Sequence, residues 1–413
     1  MILFKKVLAA TAVLAIMTVS SGVVFAQDTA KLIIARTPAY EIYGKKLKEN
    51  SFGVNVTVEE MLFDRLLETS SIAFSSQAPG IDIIQLNDPG IRRYAQNGWL
   101  EPLDDLWEKY KEQYKLDDFP QSVIDGVSYD GHIYAIPFHI NSMVFYYRKD
   151  LFDKAGLALP KSMEEYLQFP EKLADAGVPP LNGGMGSLDW TVTRTHWFLN
   201  SIGDGWFDDK WRPAFNSENG VKAIQAMKDL AAYAPRGWTS QEVAEEATNL
   251  SMGITSGGTL WPTRALSMED KEKSQVVGKM AWATVPGGGA RIAYDGLAIP
   301  KSSALDRELA FKLIAETLSS QTMKENANRV FPPRTSVAQD PELRKLYPWY
   351  EATDASVAVN KRTPAIAEFA EVSHIVAQRV LQAVTGEMEV KEAMDAAAKE
   401  ATALLESKGY YKQ

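Results

Sequence analysis

Residues 131–157 read GHIYAIPFHINSMVFYYRKDLFDKAGL. Ile133, Ala135 and Ile136 predict a strand, and Pro137 predicts its end, because proline brings no ladder donor. Val144, Phe145, Tyr146 and Tyr147 predict a second, buried strand. Asp150 is placed to cap a short helix, and Gly156 to stop it. Strand, break, strand is how a chain passes from one lobe to another. His139, Asn141 and Ser142 interrupt an otherwise apolar crossing, and polar groups inside such a run need partners. They are candidate ligand contacts, Asn141 first; the plainer reading is an internal hydrogen bond.

Upstream, residues 31–35 (KLIIA) and 54–58 (VNVTV) predict strands, with a helix over 40–49 between them. A helix over 63–74 and a buried strand over 81–86 (IDIIQL) follow. This alternation is the rhythm of a parallel α/β sheet. In such sheets ligands sit beyond the carboxyl ends of the strands. That points to the segments after Ala35, Val58 and Leu86.

Composition bounds the function. The first residues carry Lys5 and Lys6, an apolar run over 7–19 and a Val24-Phe25-Ala26 site, the pattern of an export signal cut after Ala26. With 413 residues the chain has room for two or more domains. Cysteine is absent, which excludes disulfides, thiolate metal sites, a thiol nucleophile and a lipid-bearing N-terminal cysteine. An exported chain without that anchor is expected in a Gram-negative periplasm. The net charge of −9, without a basic run, speaks against nucleic acid. No HExxH, G-x-S-x-G or phosphate-loop pattern occurs, and the four His form no zinc spacing. A glycosidase would need two carboxylates at a set separation. Asp88, Asp189 and Asp295 are available for that, but no catalytic motif accompanies them.

The stretch 131–157 resembles the first lobe-crossing segment of family 1 of the extracellular solute-binding proteins, the maltose-binding-protein-like components of sugar ABC importers. Residues 97–106 (NGWLEPLDDL), 215–230, 252–262 (MGITSGGTLWP), 295–302 (DGLAIPKS), 331–337 (FPPRTSV) and 386–409 resemble further segments of that family, in order. One departure stands near the cleft: Tyr294-Asp295-Gly296 occupies the place of a family tryptophan. The resemblance implies an α/β, type II-like periplasmic-binding-protein fold of two lobes joined by three crossings. The expected lobes are residues 27–137 with 300–332, and 138–299 with 333–413. It also implies capture of a sugar or sugar derivative by hinge closure and delivery to the permease of an ABC importer. The expected protein is a monomer with no cofactor or metal and no catalysis. A polyamine, an opine or an iron complex on the same fold is the alternative, and a secreted carbohydrate-active enzyme the remote one.

A sugar cleft needs aromatic faces, planar polar side chains and close backbone approach at glycines. Tyr40 follows the first strand. Asn87 and Asp88 follow the third, where a carboxylate can accept from two hydroxyls, or simply cap a turn. Asp189 and Trp190 follow a glycine loop. Gly258 and Trp261 lie in the element whose tryptophan is often a sugar platform in the family. Asp295 and Gly296 sit at the second crossing. Arg334, at the third, offers a planar fork for hydroxyls or an acidic substituent, or an interlobe salt bridge.

Overall fold

The computed structural model describes residues 29–49 and 52–411, so the export signal expected over residues 1–26 lies outside the described residues. The strands, in chain order, are β1 (Thr29–Ala35), β2 (Asn55–Met61), β3 (Ile83–Asn87), β4 (Ser128–Tyr129), β5 (His132–Ile133), β6 (Ala135–Ser142), β7 (Val144–Arg148), β8 (Gly257–Leu260), β9 (Met280–Ala283), β10 (Arg291–Ala298) and β11 (Lys361–Arg362). The alternation read at the start of the chain is found. Helices Glu41–Glu49 and Phe63–Ser75 separate β1, β2 and β3. β1 runs parallel to both β2 (Leu32↔Val58) and β3 (Leu32↔Ile83). Leu32, Ile33 and Ile34 are buried on both faces, as a central strand covered by helices must be.

One strand binds the chain's distant parts. β10 lies antiparallel to β3 on one edge and to β6 on the other, and the start of β10 also takes up β11. Residues from about 30, 85, 140, 295 and 361 therefore share one six-stranded sheet. A separate three-stranded antiparallel sheet has β7 between β8 and β9. Helices Leu188–Ser201, Glu218–Ala231, Phe369–Val384 and Val390–Ser407 pack against one another. Val390, Ala393, Met394, Ala397, Ala401 and Leu405 are buried on the last of these, the apolar face its spacing predicts. Among the described residues no helix is long and apolar enough to cross a membrane.

Three local expectations change. The strand expected to end at Pro137 begins at Ala135 and runs on to Ser142. Its pairing with β10 slips between Asp295 and Gly296, where His139 and Pro137 face consecutive residues, so the ladder absorbs the missing donor in a bulge. Gly296 is needed there: a Cβ would stand 2.7 Å from that of Ala135. Second, Tyr134 separates β5 from β6, so the continuous strand expected from Ile133 is broken. Third, Arg148 rather than Asp150 precedes the first turn of Lys149–Ala155. Asp150 sits inside that turn and takes the Arg148 guanidinium on both oxygens, at 2.7 and 2.6 Å. Gly156 does end this helix, with φ +66° in the left-handed region that favours glycine.

Candidate ligand-binding site

β10 lays out the site. Side chains alternate along a strand, so Arg291, Ala293 and Asp295 share one face. Directly opposite residues share it too, which adds His139 and Asn87 beside Asp295 and Asn141 beside Ala293. Three strands from three regions of the sequence thus bring five polar side chains to one face.

Asp295 is held from several sides. The Tyr40 hydroxyl donates to its Oδ2 at 3.1 Å, and Gln85 Nε2 donates to its Oδ1 at 3.2 Å. His139 Nδ1 lies 3.2 Å from both Oδ2 and the Tyr40 hydroxyl. Gln85 is fixed in turn by the Ala35 N–H, which donates to its Oε1 at 3.1 Å. Tyr40 reaches the cluster because β1 ends in a tight turn, closed by the Tyr40 N–H on the Thr37 carbonyl at 2.9 Å. Its ring stands edge-on to Phe138, with centroids 5.0 Å apart. Burial first, and then the Asp295 charge, push the Tyr40 phenol well above its ordinary range, so it stays a neutral donor. Three buried atoms on this face have no partner among the described residues: His139 Nε2, Asn141 Oδ1 and Arg291 Nε.

At the start of β10, Arg291 Nη1 donates to Thr193 Oγ1 at 3.2 Å and to Asp189 Oδ1 at 3.3 Å. Its guanidinium lies 6.0 Å from the centre of the Trp261 ring; Trp261 follows β8 and precedes the short turn Pro262–Arg264. Behind it His196 pins helix Leu188–Ser201 to β11. Its Nε2–H donates to the Lys361 carbonyl at 3.0 Å, and its Nδ1 accepts from Trp206 Nε1–H at 3.0 Å. Burial, and then the Arg291 charge, pull its pKa down to about 3, so it is neutral.

The structure joins Tyr40, Asn87, His139, Asn141, Asp295 and Gly296 in one cluster and links Asp189 to Trp261 through Arg291. It sets the other candidates in packing roles. Asn87 Oδ1 also caps helix Asp88–Gln96, accepting from the Gly90 N–H at 3.0 Å. Asp88 is fully buried against Arg92 at 3.2 Å, and Arg92 runs on to Thr363 Oγ1 at 2.9 Å. Trp190 is buried under the Arg194 guanidinium, 5.2 Å from its ring centre. Gly258 presses on Asn182, where a Cβ would come within 2.7 Å. Arg334 is 1% exposed and gives Nε, Nη1 and Nη2 to the carbonyls of Leu318, Lys115 and Tyr114 at 3.1, 2.7 and 3.1 Å. Burial pulls its pKa down to about 10. Gln85 and Arg291 are the site residues that the sequence reading passed over. A polar residue inside the apolar run IDIIQL was the available signal for Gln85; Arg291 had none.

The sequence profile of the family described as bacterial extracellular solute-binding protein matches residues 43–348. The mannitol-binding protein of Pseudomonas aeruginosa is 27% identical over 390 residues, covering 86% of this chain and 87% of that protein. A solute-binding protein of an ABC transporter from Agrobacterium radiobacter K84, solved with ribitol, superposes with a TM-score of 0.79 at 26% identity, over 91% of this chain and 98% of that one. Maltose-bound MalE3 of T. maritima superposes at 0.78 with 22% identity, over 91% and 99%. The fold is therefore the α/β, two-lobe, type II-like periplasmic-binding-protein fold. The chain belongs to the bacterial extracellular solute-binding proteins.

Proposed function

We propose that this protein captures a sugar or polyol and hands it to the membrane permease of an ABC importer. The observation that carries the reading is the polar face on β3, β6 and β10. There a carboxylate, an amide, an imidazole and a phenol converge, and His139 Nε2 and Asn141 Oδ1 still lack partners. Unpartnered buried acceptors are costly, and hydroxyl donors of a carbohydrate relieve that cost. Trp261 supplies an apolar ring to stack on its C–H faces. The mannitol and ribitol of the relatives are ligands of the same chemistry.

The mechanism we infer is closure of two lobes, one built on the six-stranded sheet and one on the three-stranded sheet. Contacts made only in the closed form shift the population toward it. We assign the protein no bond-making step. Asp295 already accepts from Tyr40 and Gln85, which suits a fixed acceptor rather than an acid or base. We place the working protein outside the inner membrane, in the periplasm, where such a carrier meets its solute.

A thermal-shift screen with mannitol, ribitol, tagatose and maltose, against spermidine and a ferric chelate, tests the reading. A ligand at a hundred times its Kd stabilises the folded state by about 2.7 kcal/mol, a clear rise in midpoint. A rise with the carbohydrates alone is expected. A rise only with spermidine or the ferric chelate would overturn the substrate class.

A further inference from the structure

We propose that the solute carries an acidic group, a carboxylate or a phosphate, received by the guanidinium groups of Arg264 and Arg291 beside Trp261. The inference rests on the carbohydrate reading above and narrows it.

Arg264 ends the short turn Pro262–Arg264, which follows β8 and packs against β6. The turn is firmly fastened. The Arg264 N–H donates to the Trp261 carbonyl at 3.0 Å, and the buried Tyr146 hydroxyl donates to the same carbonyl at 2.8 Å. Yet the Arg264 side chain makes no hydrogen bond or ion pair among the described residues, and its Nε is buried without an acceptor. Arg92 and Arg194 also keep an unmatched Nε, but unlike Arg264 each gives other guanidinium N–H groups to the chain, and so does Arg334. Arg92 has Asp88 and Thr363, Arg194 has both oxygens of Glu246, and Arg334 has three carbonyls. Arg264 is half-buried, and a guanidinium so placed without a counter-charge is favourably completed by an acceptor from outside the chain.

Arg291 is only partly served, since its contacts to Thr193 and Asp189 both use Nη1. It is 7% exposed and its Nε has no acceptor. The one carboxylate paired with it, Asp189, has a side chain 73% exposed and stands at 3.3 Å. A pair with so exposed a partner contributes little and is readily exchanged. A carboxylate or phosphate offers the planar, multiply accepting oxygens that a guanidinium fork fits. Asp295, two alternations further along the same face of β10, is then left to the hydroxyl end of the solute. The site thus has an acid end at Arg264 and Arg291 and a hydroxyl end at Asp295 and Asn141.

Calorimetry on the purified protein tests this with D-mannitol and ribitol against D-mannonate and D-mannitol 1-phosphate. We expect one of the acids to bind about tenfold or more tighter than the neutral polyols, the size of one charge-assisted contact. Which acid does so separates carboxylate from phosphate. In Arg264→Gln and Arg291→Gln the acid-to-neutral ratio falls toward one, and Arg264→Lys keeps part of it. Should either variant fail to fold, the wild type still decides. Its affinity for the acid must weaken as salt is raised, while that for mannitol stays level. Neutral polyols binding as tightly as the acids would overturn the inference and leave the carbohydrate reading standing. Binding of neither group would overturn both.

Discussion

Two neighbouring regions of the site are built on opposite plans. Around Asp295, on the six-stranded sheet, the chain supplies its own partners: Tyr40, Gln85 and His139 converge on one carboxylate. Around Trp261, where the three-stranded sheet meets β6 and β10, two guanidinium groups keep an Nε–H with no acceptor among the described residues. The first region holds its central carboxylate from three sides and leaves His139 Nε2 and Asn141 Oδ1 unmet, while the second leaves the Arg264 side chain with no partner among the described residues. Preorganised polar groups fix orientation, and groups with unmet hydrogen bonds supply affinity that is realised only when the site fills.

Asp295→Ala breaks the first region. It strands the Tyr40 hydroxyl, the Gln85 amide and His139, and the expected cost is about 3 kcal/mol in urea unfolding, with carbohydrate binding lost in calorimetry. Unchanged stability would show that the cluster is not preorganised. Arg334→Met sharpens the contrast from outside the site. Three carbonyls lose their donor, so the fold should weaken by about 2–3 kcal/mol while the variant still binds carbohydrate when folded. A large loss of affinity in stable Arg334→Met protein would return Arg334 to the cleft.

Acid tests the support behind Arg291. His196 is held neutral in the fold, with its pKa lowered from 6.5 to about 3. The unfolded chain therefore binds one more proton between these values, and stability falls as pH drops through that window. Between pH 7 and pH 5 the expected loss from this group is about 2 kcal/mol, and His196→Asn should flatten that part of the unfolding profile. A profile of equal slope in the two proteins would remove His196 from the account. The smallest effect is expected from Tyr40→Phe, which deletes one hydroxyl and keeps the ring against Phe138. We expect about 1 kcal/mol of destabilisation and a several-fold weaker carbohydrate affinity.

The residues legible in the sequence are those whose role follows from local pattern. The alternation of residues 31–86 predicts β1 to β3 and their helices, and the spacing after residue 386 predicts the buried face of the last helix. Asp295 and Asn141 stand out because each is polar within an apolar strand. Arg334 stands out equally, yet its donors go to Leu318, Lys115 and Tyr114, carbonyls far away along the chain. Nothing in the residues around Arg334 distinguishes a buried structural fork from a ligand-facing one. Arg264 and Arg291 look like ordinary surface arginines until the fold half-buries the first and buries the second.

The sequence by itself determined the α/β rhythm and the polar positions within apolar strands. These depend on side-chain periodicity and on the conformational limits of proline and glycine, which act over a few residues. Only the tertiary structure decided which polar groups are spent and which are free. That depends on β10, which sets Asp295 between His139 and Asn87 and places Arg291 near Trp261. Hydrogen-bond satisfaction is a property of groups brought together across the chain, and no local stretch of sequence records it.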